Sequence, residues 1–254
     1  AGQSVNRDAG TAQLFMATGS SIVTNNGGLT IAGGTQGILG NATLTTLSLG
    51  TGALTVNGVQ NTSITGVISG TGATLTKNDA GTLTLSGANT YSGDTTISAG
   101  TLKLGAANVI PDGVGKGDVS VTGTLDLNTF SETINGLSGA GAVDNTAAGT
   151  PTLTVGGNDA TSSFSGAIQN TAGTLALTKT GSGTLTLSGA NTYTGKTSIQ
   201  AGTVSVGSLN SVTGGGASSN LGAPTTAGNG TIDLGSGTTT GTLLYTGTGE
   251  TTDR

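Results

Sequence analysis

Few residues in this chain are equipped for chemistry. Asp112, Asp118 and Asp126 form its one moderately dense group of acids. A glycosidase would need two carboxylates about 5–10 Å apart, and a lyase would add Lys, Arg or calcium. Asp112 lies between Pro111 and Gly113, a turn composition, so these acids read as solvated loops. His and Cys are both absent. That excludes the usual zinc, haem and iron–sulfur ligand sets and the Ser-His-Asp and Cys-His machineries. Gly-Gly-x-Gly-x-Asp nonapeptides and twelve-residue calcium loops are missing. Gly214-Gly215-Gly216 lacks the Lys of a phosphate loop. Seven basic residues are scattered and the net charge is −5, so no basic patch awaits nucleic acid. No apolar run reaches the length of a membrane helix. The expectation is no enzyme, no cofactor and no metal.

The most specific motif is Asn-Thr-Tyr-x-Gly, at Asn89–Gly93 and Asn191–Gly195. It reads as a ligand-contacting loop or as a coil corner, and composition favours the corner. Asn tolerates left-handed backbone and Gly supplies positive φ; Tyr would lay its ring over the coil edge. The repeat-turn residues are thus Asn89, Tyr91, Gly93, Asn191, Tyr193 and Gly195. Outward Thr pairs stand at Thr82/Thr84, Thr152/Thr154 and Thr184/Thr186. Flat ladders of such pairs would suit an ice-binding solenoid. Their equivalents become Thr101/Lys103, Thr124/Asp126 and Thr203/Ser205, so charges interrupt the ladder. Asn-x-Ser/Thr sequons at Asn41, Asn61 and Asn229 arise by chance in a Thr-rich chain.

The elements that must position these residues follow from patterning. The chain of 254 residues has 49 Gly and 3 Pro, with 33% hydrophobic, 7% charged and 2% aromatic residues. Disorder goes with high net charge, which is missing here. So few aromatics leave Leu, Val, Ile and Ala to fill a thin core. Leu75–Gly105 and Leu177–Gly207 share 21 of 31 residues, with Gly81–Tyr91 identical to Gly183–Tyr193. Upstream, Ile64, Gly66 and Ile68 match Phe164, Gly166 and Ile168, giving repeat units 64–105 and 164–207. A shorter period lies inside: Leu83/Leu85 precede Leu102/Leu104, and Leu185/Leu187 precede Val204/Val206, each by 19 residues. Each doublet alternates with polar residues, the signature of a half-buried strand. No helical period is present. Hairpins would leave Asn-Gly turns at the coil period, and Asn57-Gly58, Asn135-Gly136 and Asn229-Gly230 do not keep it. Short one-sided strands are best satisfied by winding into stacked coils that share one core. The expected fold is all-β: a parallel β-solenoid of roughly a dozen coils of about 20 residues. Leu83, Leu85, Leu102, Leu104, Leu185, Leu187, Val204 and Val206 form its expected structural core.

GTLTLSGANTYSGDTTISAGTLKLG, residues 81–105, resembles the autotransporter-associated β-strand repeat, also called the passenger-associated transport repeat. Residues 183–207 repeat the likeness. A looser likeness takes in Asn220-Leu221-Gly222 and Gly230–Arg254. The resemblance implies a right-handed parallel β-helix in a large bacterial surface or secreted passenger, and a translocator barrel following elsewhere.

The functional expectation is a structural, extracellular β-solenoid rod, filament or passenger stalk, residues 1–254 being a single segment of a longer protein. The partner is the protein itself, end to end or within the longer chain, and a host or neighbouring-cell surface is a further candidate. Nucleic acid and a membrane span are not expected. The alternatives are a ligand-binding adhesin segment, an ice-binding protein and a polysaccharide-active enzyme. An adhesin tip should show a long insertion with an aromatic cluster. Asn6–Ser20 and Ser208–Gly228 are the longest irregular stretches, and Phe15 is their lone aromatic. Gly241–Gly249 still reads as strand and turn of the same repeat, so the stack is expected to continue.

Overall fold

The computed structural model describes residues 46–254 except Gln60, Gly214, Gly215 and Ala217, and the backbone of strands Gln3–Val5, Ser21–Val23 and Leu29–Ile31. Asn6–Ser20, Phe15, the Asn41 sequon and the first two glycines of the 214–216 run lie outside the described residues. The chain forms two compact units, Ala1–Pro111 with Gly115–Leu125 and Asp112–Val114 with Asp126–Arg254.

In the first unit, strands Leu54–Val56, Leu75–Lys77, Thr95–Ile97 and Val119–Val121 stack in parallel, in register, on Leu29–Ile31 and Gln3–Val5. Thr62–Ile64, Thr82–Leu85 and Thr101–Leu104 make a second wall. Ser21–Val23, Thr46–Ser48 and Val67–Ser69 make a third. The chain visits the walls in turn, so a strand pairs with its equivalent about one coil away. In the second unit, Glu132–Ile134, Thr152–Val155, Ala176–Lys179, Thr197–Ile199 and Ile232–Leu234 form one parallel wall. Ser162–Phe164, Thr184–Leu187, Gly202–Val206 and Gly241–Tyr245 form another, and Ala142–Asp144 pairs with Ala167–Gln169.

The fold is a parallel β-solenoid, with about 8 turns of about 21 residues. Loops absorb the variation. Among the described residues one short helix, Ala227–Gly230, interrupts the β pattern, and the Thr226 hydroxyl accepts from Asn229 N at its start.

Alternation builds the core. In the strands Thr82–Leu85, Thr101–Leu104 and Thr184–Leu187, buried and half-buried residues strictly alternate. Leu83, Leu85, Leu102, Leu104, Leu185, Leu187, Val204 and Val206 are all buried. Burying one such side chain fully is worth about 1.5–3 kcal/mol. Stacked files of them let a chain with so few aromatics fold.

Candidate functional site

The two Asn-Thr-Tyr-x-Gly segments are the most elaborate sites that the fold builds. Alternation does not stop where the preceding strand ends. Leu185, Leu187, Gly189, Asn191, Tyr193, Gly195, Thr197 and Ile199 are all buried, every second residue, through the corner. Asn191 and Tyr193 therefore point inward. Asn191 Oδ1 accepts from Ile168 N at 2.7 Å, and its Nδ2 donates to Asn220 O at 2.6 Å. Asn89 is buried in the same way: Oδ1 accepts from Ile68 N and Nδ2 donates to Val109 O, both at 2.8 Å. One side chain thus bonds the coil before it and the coil after it.

This revises the physical account of the corner. Neither Asn89 nor Asn191 has positive φ, and neither do Gly93 and Gly195. The glycines answer a close approach instead. A Cβ on Gly195 would lie 2.3 Å from Leu175 O, and one on Gly93 would lie 2.6 Å from Ala73 O. The tyrosines do not cover the coil edge: Tyr91 is 1% and Tyr193 0% exposed. Their hydroxyls meet Thr95 Oγ1 at 2.7 Å and Thr197 Oγ1 at 2.9 Å. A phenol inside a core needs such a partner, and the Thr four residues on supplies it.

Sequence reasoning missed two lysines at the same position of each repeat. Lys77 and Lys179 occupy inward positions and are 1% exposed. Lys77 Nζ donates to Asn78 O, to Asp79 O at 2.8 Å and to Ala99 O at 3.4 Å. Lys179 Nζ donates to Thr180 O and to Gly181 O at 2.9 Å. Each ammonium is held by main-chain carbonyls of the turn that follows its strand. Desolvation lowers both amine pKa values, partly opposed by Asp79 and Asp159. The signal was parity: Leu75 and Lys77, like Leu177 and Lys179, share one strand face.

The acids do not assemble. Asp112 and Asp118 are exposed. Asp126, expected in a solvated loop, is buried instead. It accepts from Asn128 N at 2.9 Å, Thr146 N at 3.2 Å and Thr146 Oγ1 at 2.7 Å. Asp144 repeats the arrangement with Thr171 N at 2.8 Å, Thr171 Oγ1 at 2.6 Å and Gln169 Nε2 at 2.8 Å. These carboxylates tie turns together. Among the described residues, no three His, Cys, Asp or Glu side chains group as metal ligands. Asp126 is also no outward member of a Thr ladder. Thr82 faces Thr101 and Thr84 faces Lys103 across adjacent strands. An uninterrupted file runs elsewhere on the first unit, Thr55–Thr76–Thr96–Ser120.

Burial pushes the Tyr193 phenol up to about 12 from 10.0, against smaller opposing effects of the Thr197 hydrogen bond and Arg254. The folded value lies above the unfolded one. This stabilisation is therefore complete below about pH 10 and lost as pH rises through about 12. The difference between the two values corresponds to about 3 kcal/mol. Urea unfolding of the wild type should show that alkaline loss, and Tyr193→Phe should reduce it. An unchanged profile in the variant would count against a sealed Tyr193.

The passenger-associated transport repeat family matches residues 75–104 and 177–206, the segments that contain both corners and both buried lysines. The chain is also 41% identical over 241 residues, 92% of its length, to a protein described as adhesin BmaC autotransporter from Brucella suis biovar 1 (strain 1330). It spans about 6% of the length of that relative. No solved structure gives a significant match.

Proposed function

We propose that this chain, which carries two passenger-associated transport repeats, is a stalk segment of a bacterial autotransporter passenger, displayed at the cell surface or released outside it. The carrying observation is the combination of parallel coils stacked in register with 41% identity to one short stretch of a long adhesin. The work of the segment is mechanical. Main-chain ladders join each coil to the next, and buried files of Leu, Val and Ile hold the walls together. In this reading residues 1–254 are one segment, built on units 64–105 and 164–207, wound right-handed and numbering up to a dozen coils in full. The right hand is the common one for parallel crossovers. The eight Leu and Val residues hold the core, and the Asn, Tyr and Gly of each corner link the coils. The segment is not an enzyme and takes no cofactor.

Its partner is its own parent chain or another copy, stacked end to end. Strand Gly241–Tyr245 pairs on one side with Gly202–Val206. Among the described residues its other edge carries no strand. Each added coil lengthens a stack by about 4.7 Å. Immuno-electron microscopy of the parent protein on cells tests the reading. Label directed at this segment is expected along thin surface projections with strands across the long axis. Label confined to the cell interior, or to compact particles with catalytic turnover, would refute it.

A second reading, a segment that itself touches a host surface, draws on the relative's description as an adhesin. It also draws on the departure from regular coils near residue 210. A cavity of about 250 Å³ lies there, lined by residues that include Thr192, Thr194, Asn210 and Thr225. The isolated segment would then bind host cells by itself.

A further inference from the structure

Apolar alternation leaves one problem of assembly unsolved. A slip of one residue between coils turns every Leu outward and is strongly opposed. A slip of two keeps Leu in and Thr out, so hydrophobic burial barely discriminates against it. With strands of two to five residues and the same alternation of inward and outward residues in stacked strands, such slips are close competitors. Something other than burial must fix which residue sits on which.

We propose that the Asn of the Asn-Thr-Tyr-x-Gly corner, together with its Gly, is the register key of the stack. Asn191 is fully buried, and its side-chain carboxamide bonds Ile168 N in one neighbouring coil and Asn220 O in the other. A two-residue slip removes the Ile168 N–H from reach and leaves a buried carboxamide and a buried amide without partners. Such orphans are costly because nothing in the core replaces the lost water. Gly195 adds a steric key. Its N–H donates to Leu175 O at 2.9 Å, and that oxygen occupies the space a Cβ would need. Only a residue without Cβ fits at that point of the stack. Asn191 and Gly195 bracket the corner that delivers Thr197–Ile199 onto Leu177–Lys179. The first unit holds its own set: Asn89 on Ile68 and Val109, and Gly93 on Ala73. Each compact unit thus contains one key.

The chain has no Cys, so introduced pairs report register cleanly. Thr178 and Ser198 face each other across adjacent parallel strands. Such neighbours are about 4.8 Å apart, within disulfide reach, whereas a diagonal partner such as Gln200 is about 8 Å away and beyond it. Full-length chains carrying Thr178→Cys with either Ser198→Cys or Gln200→Cys are oxidised mildly, and the disulfide yields are compared. In the parent the 178–198 pair is expected to dominate. In Asn191→Leu, which keeps the branched shape but loses both bonds, the ratio of slipped to native disulfide should rise at least tenfold. Asn191→Asp keeps the acceptor for Ile168 N–H and loses the donor, and should rise less. Leu185→Ala weakens the same coil without touching a polar group and should leave the ratio at the parent value. A folded Asn191→Leu chain with a smaller rise would overturn the proposal. If Asn191→Leu does not fold, a parental ratio in Asn191→Asp would do so. An equal rise in Leu185→Ala would also overturn it, because slipping would then follow from weakening alone.

Discussion

Leu185→Ala is expected to lower the unfolding free energy by about 2–5 kcal/mol, the usual cost of emptying a buried leucine site. Leu185 is 0% exposed. It lies in the stacked file between Ser162 of the preceding strand and Val204 of the following one. Packed coils on both sides leave the walls little freedom to close over the hole. The adjacent Thr186 is half-buried on the outward face, and Thr186→Ala should change stability by about 0.5 kcal/mol or less. Urea unfolding of the two variants, with equal slopes, measures the difference directly. Similar losses at both positions would refute the inside–outside assignment on which the shared core rests.

Gly189→Ala is expected to be at least as damaging, by about 3 kcal/mol or more, at the upper end of overpacking costs. A Cβ at Gly189 would stand 1.8 Å from Gly166 O and 2.8 Å from Ser165 O. Both atoms are backbone of the neighbouring coil. No rotamer change relieves that contact, so two coils would have to separate where their ladder is formed. Gly228 is the matched control, because a Cβ there meets nothing within 4 Å. Gly228→Ala should leave the melting temperature unchanged or slightly raised. Equal tolerance at both glycines would show that coil spacing at Gly189 is looser than the structure has it.

The sequence alone determined the solenoid. A period of two with Leu inward and Thr outward admits a strand and excludes a helix. The 21 identities in 31 residues between the two repeats demand coils that stack. Those are local properties of the chain, and eight leucines and valines could be placed in the core from them. The same alternation, followed past the strand end, would also have placed Asn191, Tyr193 and Lys179 inside. What it could not supply was their partners. Asn191 bonds residues 23 positions before it and 29 after it, and Asp126 bonds a threonine 20 positions on. Only stacking brings those groups together, at distances fixed by uneven coil lengths. Tertiary structure therefore decided which polar residues could be buried, because a polar side chain enters a core only where a neighbouring coil presents its complement.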